Sequence, residues 1–210
     1  MDSNQQTTLA QKNDPALTAR LVAAVADVER DHRLVEGPIS QRLLEEIEAT
    51  MRKAAPEPWI VGQARYAALL AHPEWKPTKG LGNGDLWFEI SEIAEDDADA
   101  LTWIGAACGT GQSKFGLEVS LRPALTHAAD VVWREKAHNE KLEKIGIVRD
   151  TPTGRLLVPI KIDRLRLSKG FSENDLTAAL SPVTKAVEAI VAAKSELDVL
   201  LNAVRAKVKR

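Results

Sequence analysis

Two carboxylates, Asp85 and Glu118, are the residues whose types and spacing best fit a reaction centre. Each belongs to a stretch that alternates apolar and polar residues, and Glu118 points opposite to Phe115, Leu117 and Val119. Carboxylates on neighbouring strands can share a divalent cation that activates water for phosphodiester cleavage. Joint ligation at roughly 2.0–2.6 Å per oxygen would require the two groups to lie within about 5 Å of each other.

The order Asp85, then Glu118-Val119-Ser120, resembles the PD-(D/E)XK nuclease pattern over about residues 84–122. The resemblance implies a metal held by both carboxylates. It also implies a lysine two residues after the glutamate, which in that family helps position or activate the attacking water. Ser120 stands at that position, so the implied sheet is nuclease-like but degenerate.

Other chemical patterns are weaker. Gly109-Thr110-Gly111-Gln112-Ser113-Lys114 has glutamine where a phosphate-binding loop needs lysine, and it opens a strand rather than a helix. Gly80-Leu81-Gly82-Asn83-Gly84 precedes a strand, whereas a dinucleotide fingerprint follows one. Glu92, Glu95, Asp96, Asp97 and Asp99 lack the glycine and alternate spacing of a calcium loop and read as a solvated hairpin tip. His127 and His138, eleven apart on one expected helix, are about 16 Å from each other, too far to share a metal. Cys108 is the only cysteine, which excludes an intramolecular disulfide and fits a reducing compartment. No cofactor signature is present.

Lys161, Arg164, Arg166 and Lys169, with Arg205, Lys207, Lys209 and Arg210, form a basic set that could contact phosphates. In an extended segment, Arg164 and Arg166 would share one exposed face. Lysine and arginine near a helix C-terminus also complement its dipole, which accounts for the tail without a ligand. Trp87 lies opposite Leu86, Phe88 and Ile90, so it is either covered or an interface anchor.

The elements that must position these residues follow from periodicity. Asn13-Asp14-Pro15 starts a helix with Leu17, Leu21, Val25 and Val28 on one stripe. Gly37-Pro38 is read as a break, followed by a second helix bearing Leu43, Leu44, Ile47 and Met51, the two forming an antiparallel pair. A short helix is expected near Gln63–Ala71. Strands are expected at residues 86–90, 102–108 and 115–121, as a three-strand meander. Pro123 opens a helix to about Lys144, and Ile147–Arg149 with Arg155–Ile162 forms a later hairpin. Pro159, which cannot donate to a ladder, marks its strand as an edge. Ser172 with Asp175 reads as a capping box. From Pro182, the residues Val183, Ala186, Ile190, Ala193, Leu197, Leu200 and Val204 alternate spacings of three and four, as in a coiled-coil seam or a helix lying on its own sheet.

The expected architecture is therefore α+β: a mostly antiparallel sheet of about five strands, covered by helices, with an N-terminal helical pair and a long C-terminal helix. Residues 1–13 read as a disordered tail, 14–80 as a helical region, 81–180 as the sheet core and 181–210 as the long helix, in one folding unit. With 44% apolar and 28% charged residues, the composition is that of a soluble domain. No apolar run reaches the roughly 20 residues of a membrane span, so the expected location is cytoplasmic, without a membrane partner. Residues 81–125 carry 2 basic and 8 acidic side chains, and residues 126–210 carry 16 and 11, too modest a split for a dedicated nucleic-acid binder. These features point to a non-enzymatic interaction or adaptor protein of bacterial or phage type. It would contact a protein partner or a second copy through Trp87, Ile190, Leu197, Leu200 and Val204. The alternative is a nucleic-acid-processing domain centred on Asp85 and Glu118.

Overall fold

Alternation at residues 86–93 and 114–121 forms two eight-residue strands, the longest among the described residues. A computed structural model describes residues 14–64, 67–76, 84–94, 100, 102–151 and 153–208. The strands are β1 (Ile60–Ala64), β2 (Ala67–Ala71), β3 (Leu86–Ile93), β4 (Lys114–Leu121), β5 (Val148–Arg149) and β6 (Leu156–Pro159). They make one antiparallel sheet in the order β1-β2-β3-β4-β6-β5. In the register of β3 with β4, Leu86 faces Leu121, Glu89 faces Glu118 and Ile93 faces Lys114. One face thus carries Leu86, Phe88, Ile90, Leu117 and Val119. The other carries Trp87, Glu89, Ser91, Glu118 and Ser120.

The helices are α1 (Pro15–Ala23), α2 (Val25–Leu34), α3 (Ser40–Ala54), α4 (Trp103–Ala107), α5 (Pro123–Trp133), α6 (Lys136–Lys144), α7 (Arg164–Glu173), α8 (Ser181–Ala192) and α9 (Lys194–Val208). The fold is α+β, as the periodicity implies, and no helix among the described residues is long and apolar enough to cross a membrane. Apolar stripes of α3, α8 and α9 form one core with the first face of the sheet, and α5 packs beside α9. Leu43, Ile47 and Met51 of α3 are fully buried, as are Val183 and Val187 of α8. The heptad-like seam belongs to this core. Its flanks, Val187 and Leu201, are buried too, which widens the stripe to that of a helix lying on its own domain.

Several local expectations are corrected. In the span where a helix is expected, residues 63–64 and 67–71 are strand, in β1 and β2, and residues 65 and 66 lie outside the described residues. The run Ala67-Ala68-Leu69-Leu70-Ala71 hides both faces. Leu70 enters the main core, and Leu69 joins Ala71 and Trp87 in a smaller cluster on the second face, so no period of two appears. Residues 102–108 form α4 rather than a strand, because the Thr102 hydroxyl accepts from the Gly105 amide at 3.0 Å and caps a helical turn. The meander is therefore β1 to β4.

The expected antiparallel helical pair is also absent. The chain stays helical through Gly37-Pro38 in a π-helical turn, Val35–Ile39, where the Ser40 hydroxyl bonds the Val35 carbonyl at 2.7 Å. The helix expected from Pro123 to Lys144 breaks at extended Glu135, which puts His127 and His138 on different helices. β6 is not an edge strand. Pro159 pairs with Gly116 of β4, but β5 ends its pairing at Leu157, so no ladder bond is demanded on the outer side. Arg164 and Arg166 sit in α7, where two residues of separation turn them about 200° apart rather than onto one face. Ser172 lies inside α7, and Asp175 accepts from the Thr177 amide in a turn, so the two form no capping box.

Candidate functional site

Asp85 and Glu118 do not converge. Glu118 pairs with Glu89, four residues along β3 from Asp85, a separation of about 13 Å at the rise of a strand. Each carboxylate is already held by arginine. Asp85 Oδ2 accepts from Arg205 Nε at 2.9 Å and Nη2 at 2.7 Å, and Oδ1 lies 3.1 Å from Arg122 Nη2. Its backbone amide donates to the Trp75 carbonyl at 2.7 Å. Asp85 thus ties α9, the end of β4 and the β2–β3 connection together. Glu118 receives a two-pronged contact from Arg155, whose Nη2 also reaches the Ser91 hydroxyl at 2.9 Å. Hydrogen bonding to Glu118 raises the guanidinium pKa further above its usual value, against the opposing effect of burial. The paired-ligand expectation is corrected: these carboxylates brace the sheet. Among the described residues, no three His, Cys, Asp or Glu side chains gather in a way that could hold a metal ion.

Ser120, at the position of the family's lysine, donates to Glu89 Oε1 at 2.8 Å, and the Trp87 indole N–H lies 3.4 Å from Glu89 Oε2. Glu89 and Glu118 face each other across the strands, where like charges repel. Arg155 and these donors make the pair tolerable. Neither Arg155 nor Arg205 was legible as a partner from the sequence, since each is far along the chain from the carboxylate it meets.

The β5–β6 turn is built on Asp150, which is fully buried. Its carboxylate accepts from Lys114 Nζ and from the Thr153 hydroxyl (2.5 Å) and amide (3.0 Å). Burial works against ionisation, but the hydrogen bonds from Lys114 and Thr153 outweigh it and hold the carboxyl at about 2. The turn forms one lip of an open cavity of about 380 Å³ whose other walls are α5 and the end of β4, with Glu118, Asp130, Trp133, Arg134 and Arg155 among its lining. Asp130 accepts from Arg134 at 2.8 Å, so both carboxylates in the cavity are neutralised. The Trp133 indole nitrogen is buried beside it without a hydrogen-bond partner.

The expected interface residues are placed inside the molecule. Ile190, Leu197, Leu200 and Val204 are at most 2% exposed, so they hold the sheet and present no surface to another chain. Trp87 is also buried, against Leu69 and Ala71. In the basic set, Lys161, Arg164, Arg166, Lys169 and Lys207 are exposed, Arg205 is spent on Asp85, and Lys209 and Arg210 lie outside the described residues. So do the expected tail, residues 80–83 of the glycine-rich turn, and residues 95–99 of the acidic tip. Cys108 is half-buried, and burial raises its thiol pKa despite the opposing charge of Arg164.

Among the described residues, the exposed apolar surface lies elsewhere. No residue of α1 or α2 is buried. Asp14 caps the arm through the amides of Ala16 (2.9 Å) and Leu17 (3.2 Å), and Pro15 occupies the first turn. Arg30–Asp27 and Arg33–Glu29 pairs support the next turns at 2.8 and 3.6 Å. The π-helical turn packs near α4. Leu21, Val22, Val25, Val28 and Leu34 are 46–67% exposed. The stripe was plain in the sequence, but its missing cover was not, because the break read into Gly37-Pro38 folded it back onto α3.

No family model matches the chain, and no curated protein and no solved structure is similar to it.

Proposed function

We propose that this chain is an interaction or adaptor protein whose contact element is the projecting arm α1–α2. One observation carries this reading: α1 and α2, nineteen helical residues on either side of Ala24, bear apolar side chains of which none belongs to the core formed by the described residues. Isolated helices of this length are marginal in water, and amphipathic ones gain most of their stability by packing one face. Valine at 22, 25 and 28 lowers intrinsic helix propensity further. A helix of this kind, laid into a groove or against another helix, is a common protein-recognition mode. The body, with its ion-paired sheet, serves as the rigid mount from which α3 extends the arm.

The test is the size of the protein in extract of its native cells. The wild-type chain should elute well above the 22.9 kDa of one chain, and Leu21→Asp/Val28→Asp should elute at that mass while keeping the same thermal transition. Wild-type protein running as a single chain in extract would refute the reading.

A further inference from the structure

We infer that the cavity between α5 and the β5–β6 turn binds a small organic acid, an apolar skeleton carrying a carboxylate or phosphate group. The site uses no residue of the arm, so the two readings stand or fall separately. Its volume of about 380 Å³ lies within the range of small-molecule pockets. Its walls are tied together before any ligand arrives. Arg149 joins them, with Nη1 on the Gly154 carbonyl at 2.9 Å and Nη2 on the Trp133 carbonyl at 3.2 Å. Asp150 fixes the turn through Thr153, and Arg155 ties it to Glu118 of β4. A site built in this way loses little freedom on binding.

The polar groups left over choose the ligand. Among the described residues, the Trp133 indole N–H is the one buried side-chain polar group without a hydrogen-bond partner, and Trp133 lines this cavity. The residue is 5% exposed, and leaving such a donor unmet costs about 1–3 kcal/mol. Arg155 spends Nε and Nη2 on Glu118 and Ser91, and Arg134 spends Nε on Asp130. Nη1 of Arg155 and both terminal nitrogens of Arg134 therefore carry N–H groups with no partner among the described residues. Arg134 reaches toward the turn, its Nη2 lying 4.0 Å from the position a Cβ would take on Gly154. Glu118 accepts at both oxygens and Asp130 at one, so unspent N–H groups outnumber unspent carboxylate oxygens. Such a lining calls for an acceptor, and the guanidinium fork suits a carboxylate or a phosphate. Leu121, Ala129 and Leu156 also line the cavity and give a carbon skeleton something to pack against.

The test is a titration of the isotopically labelled full chain, followed by NMR through the Trp133 indole N–H resonance, which sequential connectivity assigns. Benzoate and phenyl phosphate are the probes, with inorganic phosphate as the bare anion and benzyl alcohol as the uncharged skeleton. At least one organic anion should move the resonance and saturate it below about 5 mM, and neither control should saturate below about 50 mM. The tighter of the two probes names the acid group. Arg134→Gln should raise the dissociation constant about tenfold, because it removes charge-assisted donors. Among the described residues Arg134 bonds only to Asp130, at an exposed position, so this variant keeps the fold. A Trp133 resonance that neither organic anion moves overturns the site. Saturation by inorganic phosphate at the same concentration also overturns it and marks an adventitious ion only. An affinity unchanged by Arg134→Gln, or matched by benzyl alcohol, overturns the acid as the ligand class.

Discussion

Replacing Asp150 by asparagine removes the charge on which the β5–β6 turn is built while keeping the side chain's shape. In the folded protein this carboxyl has a pKa of about 2, against 3.8 for an unperturbed one. The depressed value means that its stabilisation is complete above the unfolded pKa and is lost as pH falls through the folded one. The difference amounts to about 2.4 kcal/mol at pH 7, about half of which remains at pH 3 and very little below pH 2. Urea unfolding of wild type and Asp150→Asn at pH 7 and pH 3 measures it. The variant should be less stable by about 2 kcal/mol at pH 7, and the gap should narrow by about 1 kcal/mol at pH 3. Taking the difference between the two proteins cancels the titration of the other carboxylates. A gap that stays constant between the two pH values would show that the Lys114–Asp150 contact contributes by packing and not by charge.

Leu197→Asp with Leu200→Asp should abolish folding, read as loss of the cooperative thermal transition, because both side chains are buried in the core of the same chain. Gly116→Ala should cost several kcal/mol in urea unfolding, since a Cβ there would stand 2.1 Å from the Val158 carbonyl oxygen, a backbone atom that cannot move aside. Asp85→Ala should destabilise by about 3 kcal/mol, because it strands the partly buried Arg205 that docks α9. Cys108 should react with a thiol reagent at pH 8 several-fold more slowly in the folded chain than in urea, where its raised pKa and cover are both lost.

How much of this could be read from the residues depends on where the information lies. β3 and β4 declared themselves because each has one apolar and one polar face. Strand β2 did not, because Leu69 and Leu70 are buried on opposite faces and erase the alternation. The Asp85 and Glu118 pair looked like a metal site because the sequence records residue types and strand membership but not register. One pairing fact, Glu118 against Glu89, moves the carboxylates apart. The arginines that claim them arrive from residues 122, 155 and 205, and no local pattern announces a contact across 120 positions. The arm was misread for a different reason. Proline and glycine argue strongly for a break, and a π-helical turn is a rare way for a helix to continue through them.

The hydrogen bond from the Asp85 amide to the Trp75 carbonyl closes the connection between β2 and β3 at its base. Asp198 fixes the Trp75 indole at 2.8 Å, and Arg205 fixes Asp85, so a single helix staples both feet of that connection. Trp75 and Asp85 are thereby moored to one another and to the same helix, so anything that lifts α9 off the body releases both anchor points at once.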